Sequence, residues 1–96
     1  RELERVDALL DAGKVDQARA QLEELFDRAG GESNAILAAE VQLRIGRVQL
    51  RAGNFEPAAE VLEQAYLEAK RLGRDRLAAE AALALLQLRG DRLQVA

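Results

Sequence analysis

The chain of 96 residues has room for one domain with a modest core and little interior left for a deep pocket. Hydrophobic residues make up 49% of it but aromatics only 3%, so its apolar content is mainly Ala, Leu and Val, the composition of closely packed helices. The formal net charge of −3, with acidic and basic residues interspersed, argues against direct nucleic-acid binding, which calls for a basic surplus and stacking aromatics.

The chain has no Cys, which excludes disulfides and thiolate chemistry. Charges interrupt every apolar segment, so no transmembrane helix is expected. The opening RELERV lacks the basic start and apolar run of a signal peptide. A cytoplasmic location is the expectation, and the absence of an initiator Met suggests a piece of a longer protein.

The first helix is predicted over 2–12, where VDALLDAG closes at Gly13, a residue that enters the left-handed conformation without a Cβ clash. The second, over 15–29, carries Val15, Ala18, Leu22, Leu25 and Phe26 as one apolar stripe. Lys14 is a poor cap before it, with Asp16 partly compensating. GGES, Gly30 to Ser33, superficially resembles a phosphate-cradling loop. It lacks the Gly-Lys-Ser/Thr ending and reads as a joint with Ser33 as N-cap.

The third helix is predicted over 33–52, closing with VQLRAG at Gly53. The fourth, over 55–72, starts with Asn54 as cap, Glu56 at the positive helix end and Pro57 in the first turn. Its stripe is Phe55, Ala58, Ala59, Leu62, Ala65, Tyr66 and Ala69. Gly73 to Asp75 reads as a second joint, and the fifth helix, over 75–89, closes with LALLQLRG at Gly90. A sixth is predicted to begin with Asp91 as cap and to be cut off at Ala96. The stops at Gly13, Gly53 and Gly90 lie 40 and 37 residues apart, a recurrence that points to stacked repeats.

Ile45-Gly46, Gly53-Asn54-Phe55, Ala58, Leu62 and Ala65 stand at spacings that resemble the tetratricopeptide repeat, in which a small residue admits the partner helix and a Gly-Asp or Gly-Asn step makes the turn. Gln42 and Gln49 depart from it where the family prefers large aromatics, and no Pro closes a repeat. Arg5-Val6 and Ala82-Leu83 replace Ile45-Gly46 in the outer copies. The period exceeds the usual length of about 34 residues and is similar to the longer variants in large bacterial transcription activators and scaffold proteins.

The resemblance implies an all-α fold: a right-handed α-solenoid of antiparallel helical hairpins, about two and a half repeats over 1–30, 33–72 and a truncated 75–96, within one domain spanning 1–96. It also implies a concave groove, lined by residues 1–11, 40–51 and 77–88, that binds peptides or proteins. The groove residues are Leu3, Asp7, Leu10, Asp11, Leu43, Arg44, Arg47, Leu50, Arg51, Leu77, Glu80, Ala84 and Gln87. A chaperone-tail clamp of Lys and Asn is missing, because the corresponding places hold Leu3, Asp7, Arg44, Leu77 and Ala81.

A shift of 40 superposes Glu4, Asp7 and Asp11 on Arg44, Arg47 and Arg51, each set a stripe at i, i+3, i+7. One reading pairs the stripes across neighbouring first helices, with about 0–1 kcal/mol per exposed ion pair. The other presents the arginines to an acidic peptide, since Arg recognises carboxylates bidentately. A shift of 37 puts Ala81, Ala84 and Leu88 in the same places of the third copy, and leucines beside charges would suit an amphipathic partner segment.

Catalysis finds little material: His, Cys and Thr are absent, Ser33 is the only Ser and Tyr66 the only Tyr. A Ser nucleophile needs a positioned base, so no enzyme, cofactor or metal site is expected. Glu23, Glu24, Glu60 and Glu63 read as solvated faces, and Phe26 and Tyr66, at equivalent places, as core. The expected role is a non-catalytic binding scaffold without direct nucleic-acid or membrane contact. An effector-sensing segment of a larger bacterial transcription activator, or an oligomerisation module, is the alternative. A truncated array should also self-associate, exchange helices or be marginally stable.

Overall fold

The computed structural model describes residues 2–31 and 34–95. They form five helices: α1 (Glu2–Asp11), α2 (Val15–Gly31), α3 (Ala35–Arg51), α4 (Phe55–Arg71) and α5 (Asp75–Val95). Starts at 15, 35, 55 and 75 fall every 20 residues, and a helix pair recurs every 40. Each helix packs on the one before it, and α3 also packs on α5. A three-residue joint between helices about 25 Å long leaves packing only by doubling back.

Three joints share one hydrogen-bond design. Gly53 N–H donates to Leu50 O at 3.1 Å and Asn54 N–H to Gln49 O at 2.9 Å; the same pair of bonds recurs at Gly13-Lys14 and Gly73-Arg74. These are Schellman closures, and their glycines have φ of 79°, 83° and 72° at Gly13, Gly53 and Gly73, the left-handed region in which a Cβ is costly. Gly73 is therefore a stop of the same kind as Gly13 and Gly53.

Gly90 is not a stop. It lies inside α5, so the sixth helix expected from Asp91 is absent from the described residues, which end in one long fifth helix. Gly inside a helix costs only about 1 kcal/mol relative to Ala, and the neighbouring Leu88 is buried against α3 and α4. Good helix formers on both sides carry the helix through. The third copy is thus offset by 40 residues, not 37.

Two more termini differ from expectation. Gly30 and Gly31 finish α2 instead of forming a joint, and Asn34 caps α3, its side-chain oxygen accepting from Leu37 N–H at 3.0 Å. Ser33 lies outside the described residues. Asn54 occupies the cap position of α4 without a side-chain cap bond.

Two cores flank α3. Val6, Leu10, Ala18, Leu22, Leu25, Val41 and Val48 form the first, between α1, α2 and α3. Leu43, Ala58, Leu62, Ala65, Ala81, Ala84 and Leu88 form the second, between α3, α4 and α5. Five members of the first map onto members of the second by adding 40: Ala18 to Ala58, Leu22 to Leu62, Leu25 to Ala65, Val41 to Ala81 and Val48 to Leu88. Helix α3 serves both, its Val41 and Val48 turned to one core and Leu43 to the other, as amphipathicity on two faces requires.

The two aromatic equivalents part company. Tyr66 packs on the second core, whereas Phe26 is 36% exposed, contrary to its expected place in the core. Phe26 borders an open recess beside Ala35, Ala38 and Leu67.

Candidate functional site: a cleft between α1, α3 and α5

Helices α1, α3 and α5 line one open cleft of about 500 Å³, bordered by Asp7, Leu10, Asp11, Arg47, Leu50, Arg51, Leu83, Ala84 and Gln87. Asp7, Arg47 and Gln87 are 40-residue equivalents, so one position of the repeat contributes a carboxylate, a guanidinium and an amide in succession. A second hollow of about 480 Å³ lies between α3 and α5, with Ile36, Glu40, Arg44, Arg74, Leu77 and Glu80 among its borders.

The acidic and basic stripes meet, one helical step out of matched register. Arg44 Nε stands 3.3 Å from Asp7 Oδ1, and Arg44 Nη1 donates to Glu40 O at 3.3 Å. Arg51 Nη1 donates to Leu10 O at 2.9 Å. Because α1 has no basic residue in its last turn, Arg51 supplies from α3 the positive charge that a helix C-terminus favours.

Arg47 faces the other neighbour, with Nη2 3.9 Å from Glu80 Oε2. Glu80 is also approached by Arg76, whose Nε lies 3.5 Å from Oε1. At 3.9 Å and 39% side-chain exposure, Arg47 is held loosely. Arg44, 20% exposed, is more deeply engaged in joining α3 to α1.

The predicted groove residues divide accordingly. Asp7, Asp11, Arg51 and Gln87 are exposed at the cleft, and Arg47 and Leu50 are half-buried there. Leu10 and Ala84 border it but are 7% and 1% exposed, and Leu43, at 1%, is buried in the second core away from it. Leu3 packs against the first core. Arg44, Leu77 and Glu80 border the second hollow. Reasoning from the sequence missed Leu83, 55% exposed, whose signal was its place 40 residues after Leu43.

Glu68 and Arg71 form a hydrogen-bonded ion pair on α4, away from the cleft. A hydrogen bond from Arg71 holds the Glu68 carboxyl below its ordinary range, against a smaller desolvation effect and with added Coulombic help. Among the described residues, no group of three or more His, Cys, Asp or Glu side chains is placed to hold a metal ion, and no helix is long and apolar enough to cross a membrane. No family model, curated protein or solved structure matches the chain.

Proposed function

We propose that this chain is a non-catalytic binding module of tetratricopeptide type: a right-handed solenoid whose concave face, formed by α1, α3 and α5, holds a peptide or a segment of a partner protein. The observation that carries the reading is the cleft itself, to which the same position of three successive repeat units contributes Asp7, Arg47 and Gln87. Carboxylates on α1, arginines on α3 and the apolar Leu50 and Leu83 favour an amphipathic segment bearing both signs of charge. Side chains presented from packed helices lose little entropy when a segment docks. The absence of His and Cys and the single Ser leave nucleophilic catalysis without its usual nucleophile–base pair.

Selection from a library of amphipathic helical peptides tests this. Peptides enriched on the wild-type chain are expected to lose at least tenfold in affinity on Arg47→Glu or Asp7→Lys chains whose helicity is unchanged. Enrichment of no peptide, or of peptides indifferent to both substitutions, overturns the assignment.

A further inference from the structure

The face of α3 that receives α4 and α5 consists of Ala39, Leu43, Gly46 and Leu50: Ala39 and Leu43 are buried, Leu50 packs on the second core, and a Cβ on Gly46 would collide with Leu62. Forty residues on, the same four places of α5 hold Ala79, Leu83, Leu86 and Gly90. Here all four are exposed, with Leu83 at 55% and Leu86 at 63%. Among the described residues nothing covers this surface, which is built like an internal helix interface, an arrangement that marks an association site.

We infer that two copies of this chain pair through this face of α5, antiparallel, about a two-fold axis midway between residues 84 and 85. The face is self-complementary about that point. Leu83 comes opposite the second copy's Leu86, and Ala79 opposite its Gly90, so a large pair fills the centre while small residues let the backbones approach at each end. The 4-3-4 spacing of these residues is that of a helix–helix seam. On the flanks, Glu80 faces Gln87 and Ala82 faces Arg89, so no like charges oppose one another. A two-fold pairing uses the same patch on both copies.

The opposite end of the molecule offers no match for a head-to-tail array. The places of α1 corresponding to Ile45 and Val48, which α3 turns towards the first core, hold Arg5 and Ala8, both exposed. An apolar face docked on Arg5 would desolvate a guanidinium without a partner. The second copy's α5 is the occupant that the chemistry fits.

Sedimentation equilibrium of the full chain over a concentration series tests the pairing. The expected result is a mass rising from 10.5 kDa towards twice that value, with Leu86→Glu weakening association at least tenfold. Leu67→Glu, at a residue 64% exposed on α4, is expected to leave it unchanged. Because the chain has no native Cys, mixed Leu83→Cys and Leu86→Cys chains should cross-link faster than Arg5→Cys mixed with Leu86→Cys. A monomer at every concentration, association indifferent to Leu86→Glu, or preferential linkage through position 5 overturns the proposal. Leu83 and Gln87 also border the α1–α3–α5 cleft whereas Leu86 does not, so pairing and peptide docking share that wall. Leu86→Glu separates them: it is expected to weaken pairing while leaving peptide affinity undiminished.

Discussion

Gly46 on α3 and Leu62 on α4 approach so closely that a Cβ built on Gly46 would lie 2.5 Å from both Cγ and Cδ2 of Leu62. Leu62 is fully buried and cannot withdraw without disturbing the second core. Gly46→Ala is therefore expected to lower stability by about 1–3 kcal/mol through overpacking, despite the better helix propensity of Ala. Gly90→Ala, also helical but with nothing within 4 Å of the added Cβ, is expected to raise it by about 1 kcal/mol. Urea denaturation of both variants in dilute solution checks the opposite signs.

Arg51 and Arg44 both tie α3 to α1, through different acceptors. The bond to Leu10 O serves a helix C-terminus, so Arg51→Ala should cost about 1 kcal/mol. The Asp7–Arg44 ion pair is half exposed on its acidic side, and a double-mutant cycle should give a coupling of about 0.5 kcal/mol that shrinks with added salt. Equal, salt-insensitive effects of the two would contradict this division.

The Oε1 atoms of Gln21 and Gln49 are buried without a hydrogen-bond partner. Forty residues away in the repeat, the corresponding places hold Val61 and Leu9, apolar residues that need no partner. Gln49→Leu is expected to stabilise the fold by about 1 kcal/mol, and Gln21→Val by less, because a β-branched residue loses rotamer freedom in a helix. Thermal denaturation shows this as a rise of several degrees for Gln49→Leu.

Glu68 is held below the ordinary carboxylate range chiefly by its hydrogen bond from Arg71. A carboxyl whose folded value is depressed resists protonation in the fold. Its stabilisation is present above the unfolded value of about 4.5 and is lost as pH falls through the folded one. Carbon-detected NMR titration should find Glu68 titrating higher in Arg71→Gln than in the wild type; an unchanged midpoint would contradict the pairing.

The period of the fold was legible wherever a glycine both ends a helix and takes positive φ, as at Gly13 and Gly53. It was misplaced at Gly90, because a glycine flanked by good helix formers is locally indistinguishable from a stop. Gly73, read as part of a longer joint, carried the missing signal. The stripes of charge are legible from their spacing, but not which group each arginine meets, since that depends on the axial offsets of α1 and α5 against α3. Spacing places Leu10 and Leu43 on a groove-facing side without saying how much of that face a neighbour covers, and both are buried. Leu83 shows the reverse: at the same repeat position, no helix among the described residues covers it.

The measurement that tests the central claim most directly is amide mapping by heteronuclear NMR of the labelled chain titrated with a library-selected peptide. The account predicts perturbations concentrated on Asp7, Leu10, Arg47, Leu50 and Gln87, drawn from three helices at once, and absent in Arg47→Glu. Perturbations centred instead on the recess beside Phe26 and Leu67, or scattered without regard to the cleft, would contradict it.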